Sequence, residues 1–216
     1  MTYLGYLRRN GDSTLAHLQK RVDKAGKASL TTQSILKRLT HLPCYRKIHI
    51  ANACIRSVFL YGTEACCDED LEELKSVMNK TMRRLARSIM RTSHAAANQT
   101  LQLDLGWMSL KSEIQLRRMK LALKCLTDTR NGSIVQTVLH EAMRTGTQWT
   151  DEVNENISDA IHGRWLGNIT SQDQLSLTTL WKERDHRNQW DRLNRQVYKT
   201  TILYRELVPS NAVVQT

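Results

Sequence analysis

The chain of 216 residues is long enough to bury a hydrophobic core, and its length alone allows one or two domains. Its formal net charge is +11 at pH 7, and it contains no apolar run of about 18 residues, which argues against a membrane-spanning helix. Five cysteines without a C-x-x-C pair argue against a zinc knuckle or a disulfide framework and predict a reduced, intracellular chain. No apolar segment follows Arg8 and Arg9, so no secretory signal is predicted.

The positive charge is concentrated in the first 130 residues. Residues 1–60 contain 11 Lys or Arg against 2 Asp or Glu, whereas residues 131–216 contain 9 against 10. Clustered Lys and Arg are typical of proteins that bind a phosphate backbone, although a basic surface can also serve solubility alone. The uneven charge therefore favours nucleic acid as a partner over a merely soluble basic surface.

The first predicted elements are a short strand over Tyr3–Leu7, a turn at 9–12 and a helix that begins near Leu15. The pattern allows one long helix or two helices joined near 26–32. Residues repeat along one face every three or four positions, and these are Leu15, Leu18, Val22, Ala25, Ser29, Thr32, Leu36 and Leu39. His17, Lys20, Lys24 and Lys27 recur on the opposite face.

Leu42-Pro43 ends this element, and a second helix is predicted from Tyr45 to Leu60. Apolar residues lie on most of its faces, so we expect it to be buried between other helices. A third helix begins with acids at 68–73 and ends with arginines, a polarity that suits the helix dipole. Its predicted core side comprises Leu71, Leu74, Met78, Met82, Leu85 and Ile89, and its basic face comprises Lys80, Arg84, Arg87 and Arg91.

A fourth helix is predicted over about 110–126, with Ile114, Leu121 and Cys125 along one side. Its basic residues are Arg117, Arg118, Lys120 and Lys124. The run 129–133 predicts a loop and divides the chain into a basic region, 1–130, and a C-terminal helical region, 131–216. The second region holds four of the five tryptophans, Trp149, Trp165, Trp181 and Trp190. We interpret it as shorter helices packed on these side chains, with the tryptophans in the core rather than stacked on bases.

Three further motifs have simpler explanations than chemistry. Asp68-Glu69-Asp70 is explained by an acidic first helical turn rather than by a metal site. His140-Glu141 would need a second His at position 144 to form a zinc-protease motif, and that residue is Arg144. Cys66-Cys67 is explained by packing, because adjacent cysteines rarely bond to each other. The sequence therefore predicts no metal, no cofactor and no catalytic residue.

The order of these pieces resembles the region after the polymerase palm in reverse transcriptases of non-LTR, or LINE-type, retrotransposons. The resemblance rests on Tyr3-Leu4-Gly5, Lys20 to Ala25, Leu60 to Glu64, the acidic-to-basic third helix, and Leu103 to Leu110. Each motif alone is unspecific, and their order carries the resemblance, which covers residues 3–130 well and the tail weakly. In the family the fourth helix often ends in a His-x-x-Arg-Met-like sequence. This chain instead has Lys124-Cys125-Leu126-Thr127-Asp128 there.

The resemblance implies an all-α, thumb-like helical bundle with a short N-terminal strand and a second helical region. It implies that the chain holds a template–primer duplex of RNA and DNA through the backbone, in the nucleus, with the palm N-terminal to Tyr3 or on a separate polypeptide. The chain lacks a Tyr/Phe-x-Asp-Asp motif, so no catalytic role is carried over. The residues expected to contact nucleic acid are Tyr3, Lys20, Arg21, Lys24, Lys27, Lys80, Arg84, Arg87 and Arg91. The alternatives are an autonomous helical protein-interaction module and a non-functional remnant of a retroelement.

Overall fold

The computed structural model describes residues 2–3, 6–7, 14–92, 98–127 and 134–195, and it confirms the all-α class. The N-terminal strands β1 (Thr2–Tyr3) and β2 (Tyr6–Leu7) pair antiparallel, with Tyr3 opposite Tyr6. The single strand expected over Tyr3–Leu7 stays a prediction, because residues 4–5 lie outside the described residues. The turn predicted at 9–12 and the loop predicted at 129–133 lie outside the described residues.

The helices follow one another with short connections. They are α1 (Thr14–Arg38), α2 (Cys44–Ala51), α3 (Ser57–Leu60), α4 (Asp68–Met90), α5 (Asn98–Asp104), α6 (Leu110–Leu126), α7 (Ile134–Thr145), α8 (Gln148–Ala160) and α9 (Ser171–Arg195). A π-helical turn at Asn52–Arg56 joins α2 to α3 with right-handed helical backbone at both ends, so residues 44–60 form one continuous helix. A 3-10 turn at Thr63–Ala65 precedes α4.

Helix α1 is unbroken through Gly26 and buries the predicted seam against the rest of the bundle. The buried seam residues are Leu18, Val22, Ala25, Ser29, Thr32 and Leu36, while Leu39 is half-buried; the side chains of Leu15 and of His17 on the opposite face lie outside the described residues. The guanidinium of Arg21 lies over the Tyr61 ring at 4.3 Å, so the beginning of α1 meets the end of α3. After α4, Arg91 donates to the carbonyl of Thr40 at 3.4 Å, just beyond the end of α1. Residues 44–60 therefore run antiparallel to α1, and α4 runs parallel to it.

The expectation that residues 44–60 are buried on most faces is wrong. Ala51, Ile55 and Phe59, spaced four apart, are buried, whereas Ala53 and Cys54 are exposed. Because Ala53 and Cys54 are small, their exposure leaves little apolar surface in water. The helix is thus packed on one side and open to solvent on the other.

Two hydrophobic clusters meet along α6. The first contains Ile114 with residues of α1 to α5, and the second contains Met119 with residues of α7 to α9. Because α6 contributes to both clusters, the hydrophobic clusters do not by themselves divide the chain near residue 130. The division into two domains there stays a prediction. The expectation of only shorter helices in the tail is wrong, since α9 is 25 residues long.

Helix α9 is long because its buried stripe is continuous. Every fourth residue along it is buried, namely Leu177, Trp181, Asp185, Gln189 and Leu193. A stripe at this spacing keeps one face of a helix on its neighbours over many turns. The helix therefore packs along both α5 and α6.

Two of the tail tryptophans bond across to the first part of the chain. The indole Nε1–H of Trp149 donates to the Glu64 carbonyl at 2.9 Å, and that of Trp181 donates to the Ser112 carbonyl at 2.8 Å. The expectation that all four tail tryptophans lie in the core is wrong for Trp165, which is 50% exposed. Its neighbour Leu166 fills the core position instead, at 1% exposure.

No helix among the described residues is both long enough and apolar enough to cross a bilayer.

Candidate nucleic-acid interface

Lys20, Lys24 and Lys27 form the exposed basic face of α1. Their spacing of four and three residues places them on one side of the helix, opposite the buried seam. The line from Lys20 to Lys27 extends about 10 Å at 1.5 Å per residue. Asp23 is the single acid of this helix and accepts a hydrogen bond from Gln19 at 3.0 Å. Among the described residues the three lysines have no ion-pair partner, so their charge faces solvent.

Arg21 does not share this face. It is half-buried at the side of α1, where its guanidinium stacks on the Tyr61 ring at 4.3 Å. A cation over an aromatic face is held by the ring quadrupole and fixes the side chain in one place. Arg21 therefore joins α1 to the end of α3, and the lysines lie beside it rather than in line with it.

A second basic face lies on α4. Lys80 and Arg84 are exposed, Arg87 is half-buried, and Arg91 is exposed just beyond the helix end. The spacing of four, three and four residues aligns them opposite the buried stripe, over about 16 Å. The stripe itself contains Leu71, Met78, Met82, Leu85 and Ile89, as predicted, while the side chain of Leu74 lies outside the described residues.

The end of α4 fixes the position of Arg91. The Thr92 N–H donates to the Arg87 carbonyl at 3.2 Å, which closes a wide turn around Arg91. Arg91 adopts the left-handed conformation with φ 54°, which glycine usually supplies at this position of a helix cap. The arginine side chain thus stands at the terminus of α4, beside the carbonyl of Thr40.

The structure does not bring the two basic faces into contact. The lysines of α1 form no ion pair or hydrogen bond with another described residue, and on α4 Lys80, Arg84 and Arg91 are exposed while Arg87 is half-buried. The backbone of Tyr3 pairs in β1, and its side chain lies outside the described residues. Eight of the nine expected contact residues are thus placed by the structure: seven lie on two separate basic faces, and Arg21 lies beside the first.

Arg118 is the centre of a buried ion-pair cluster that the sequence analysis did not predict. From the sequence it was named only as one of the basic residues of the fourth helix, and the structure buries it fully. Its Nη1 donates to Asp68 and to Glu152, at 2.7 Å in each case. The backbone N–H of Asp68 also donates to both oxygens of Glu152 at 3.0 Å. A signal was present, because Arg118 continues the buried series Leu110 and Ile114 at a spacing of four residues.

These contacts set the ionisation of Asp68. Burial raises the pKa of its carboxyl, but the charge and hydrogen bond of Arg118, helped by Lys75 and Lys111, outweigh burial and lower the pKa below its ordinary value. Glu152 also supplies negative charge at the N-terminus of α4, where the helix dipole favours it. The site is therefore a structural connection between α4, α6 and α8.

Asp185 makes an equivalent connection at the start of α6. Its carboxylate accepts from the Ser109 backbone N–H at 3.1 Å, from the Ser109 hydroxyl at 3.0 Å and from Gln189 Nε2 at 2.6 Å. The Ser112 hydroxyl is a fourth donor. Four donors account for the burial of this charged group, and the buried stripe of α9 was the sequence signal for it. Asp185 anchors α9 to the N-terminus of α6.

No group of three or more His, Cys, Asp or Glu side chains among the described residues is arranged to hold a metal ion. Asp68, at the start of the acidic run 68–70, is instead engaged by Arg118.

Comparison with known protein families, with curated proteins and with solved structures finds no match for this chain.

Proposed function

We propose that this chain binds a nucleic-acid duplex through the phosphate backbone, with the basic face of α1 as its principal contact. The observation that carries the proposal is the line of Lys20, Lys24 and Lys27, exposed on one side of a rigid helix and without acidic partners among the described residues. Lysines in such a line follow a phosphate backbone without reading its sequence.

The packing of α1 supports this role. The helix is held along its opposite side by six buried seam residues, so the lysines are carried on a rigid element. A rigid element keeps the spacing of the charges fixed, which reduces the ordering cost of binding. The basic face of α4, from Lys80 to Arg91, provides a second contact for the same duplex or for a displaced strand.

The biological setting follows from the sequence resemblance. We propose that the chain acts as the thumb and tail region of a non-LTR retrotransposon reverse transcriptase and holds the RNA–DNA template–primer in the nucleus. Its role is binding, with catalysis supplied by a palm. The proposal predicts affinity for duplexes of any sequence and a steep loss of affinity as salt increases.

The test is fluorescence-anisotropy binding of a labelled RNA–DNA hybrid duplex over a salt series. The variant Lys20→Glu, Lys24→Glu, Lys27→Glu reverses the charge of the basic face of α1, and we expect it to lose duplex binding at moderate salt. A matched control, Lys124→Glu, Arg187→Glu, Arg195→Glu, makes the same change in net charge at exposed positions elsewhere. Equal loss in both variants would show that only net charge matters and would contradict the proposed interface.

The same experiment separates the proposal from a protein-interaction module. A folded wild-type chain that does not bind the hybrid at low salt, or binds it equally well at all salt concentrations, would overturn backbone recognition. In that case the exposed apolar residues of α1, Leu30 and Ile35, would become the surface to examine.

A further inference from the structure

A groove of about 540 Å³ lies where the π-turn at Asn52–Arg56 faces α6 and α9. It is separate from the basic faces of α1 and α4. Three helices supply its cations, with Arg56 from the π-turn, Arg117 and Lys120 from α6, and Lys182 from α9. Glu113 is the single carboxylate among the lining residues, so four positive charges stand against one negative charge.

The carboxylate of Glu113 is already shared. It forms an ion pair with Arg56 and lies 3.5 Å from Arg117. Lys120 and Lys182 are exposed and have no ion-pair partner among the described residues. The lining residues of the groove therefore carry a surplus of positive charge.

Arg56 is the fixed part of this cluster. It is 7% exposed, its Nη2 donates to the Met108 carbonyl at 3.4 Å, and its guanidinium lies 5.1 Å from the Trp107 ring. Burial and, after it, the positive charge of Arg117 lower the pKa of Arg56 to about 10, while the negative charge of Asp185 acts in the opposite direction. An anion beside Arg56 and Arg117 would favour the charged form of both side chains.

Neutral polar groups complete the lining. Trp107, 6% exposed, borders the groove, and its buried indole Nε1–H has no acceptor among the described residues. Thr178 adds a hydroxyl from α9. The π-turn itself is a type of helix irregularity found often at functional sites.

We propose that this groove binds a phosphate group, held by Arg56, Arg117, Lys120 and Lys182. Arginine forks and lysine ammonium groups together are the side chains that proteins use for phosphate oxygens. The phosphate belongs either to a free phosphorylated ligand or to the backbone of a bound nucleic acid. The groove thus goes beyond the duplex contact proposed for α1 and does not depend on it.

The test is isothermal titration calorimetry of the full chain with inorganic pyrophosphate at low salt. We expect binding by the wild type, and at least about tenfold weaker binding by Lys120→Glu, Lys182→Glu, because two charge-assisted contacts are reversed. Both positions are exposed, and circular dichroism checks that the variant is folded. The matched control Lys124→Glu, Arg195→Glu makes the same change in net charge at exposed positions outside the groove and is expected to bind pyrophosphate like the wild type.

Duplex binding by the groove variant then identifies the source of the phosphate. Reduced affinity for the hybrid duplex supports a backbone phosphate, and unchanged affinity supports a free phosphorylated ligand. The inference is overturned if the wild type does not bind pyrophosphate, or if the groove variant binds it as tightly as the wild type. Either result leaves the duplex assay of the α1 lysines unaffected, so the two proposals fail independently.

Discussion

Replacing Arg118 with Met tests whether the buried ion cluster connects the two hydrophobic clusters. The substitution keeps a long side chain in the core but leaves Asp68 and Glu152 without their shared cation. Breaking a buried ion pair costs about 3–5 kcal/mol. Asp68 and Glu152 keep 25% and 16% of their side chains exposed, so solvent screens them and the lower end, about 3 kcal/mol, applies.

The assay is thermal and urea unfolding followed by circular dichroism. For a chain of this size about 3 kcal/mol lowers the Tm by roughly 6–12 °C. Because the carboxylates cause the loss, the triple variant Arg118→Met, Asp68→Asn, Glu152→Gln should regain most of it. An Arg118→Met protein within about 1 kcal/mol of the wild type at pH 7 would refute the reasoning.

The pH dependence of the unfolding free energy tests the role of Asp68 independently. The folded-state pKa of Asp68 is lowered from 3.8, so its contribution to stability is present above about pH 4 and is lost as pH falls through the folded value. In Arg118→Met this contribution is absent. The difference in unfolding free energy between the two proteins should therefore be largest near pH 7 and should shrink below pH 4; a difference that stays constant would contradict the assignment.

Three further substitutions probe single features by urea unfolding. Gly26→Ala should raise the unfolding free energy by about 0.5–1 kcal/mol, since a Cβ there meets no atom within 4 Å, and a decrease would argue against an unbroken α1. Arg91→Gly should raise it by up to about 1 kcal/mol by relieving the positive φ, yet should weaken duplex binding; unchanged binding would remove Arg91 from the interface. Asp185→Asn should lower the unfolding free energy by about 2 kcal/mol, because the Ser109 N–H and Gln189 Nε2 donate to this carboxylate. An unchanged unfolding free energy would show that the carboxylate charge does not stabilise the fold.

Local periodicity was enough to predict much of the first part of the fold. The seam from Leu18 to Leu36 repeats at helical spacing, and the structure buries it. The predicted bounds of the fourth helix coincide with α6, because Ser109 supplies an N-cap whose hydroxyl accepts from the Ser112 N–H at 3.2 Å. Such signals lie within a few residues of each other, so a single sequence displays them.

The features that were missed depend on distant partners. Arg118 reads as part of a solvated basic run until Asp68, 50 residues away, and Glu152, 34 residues away, are brought beside it. Cations of the groove at Arg56 come from segments that lie far apart in the sequence, and no local spacing relates them. Asp185 on the buried stripe of α9 was visible as a polar break in an apolar pattern, but its donors at the start of α6 were not.

The expected nucleic-acid contact residues also divide into those that local spacing places and those that depend on distant segments. Helical spacing correctly places Lys20, Lys24 and Lys27 on the solvent face of α1. It does not predict that Arg21 stacks on Tyr61, because that contact requires the antiparallel return of residues 44–60. The use of these residues in binding stays a prediction.

The most direct test of duplex binding is the slope of log Kd against log salt for the RNA–DNA hybrid. Each backbone phosphate neutralised by a protein cation contributes about 0.9 to this slope on duplex DNA. Replacing Lys20, Lys24 and Lys27 with Gln should therefore reduce the slope by about 2–3 and weaken binding at low salt. The same slope in the wild type and in this variant would show that α1 does not contact the backbone and would contradict the proposed function.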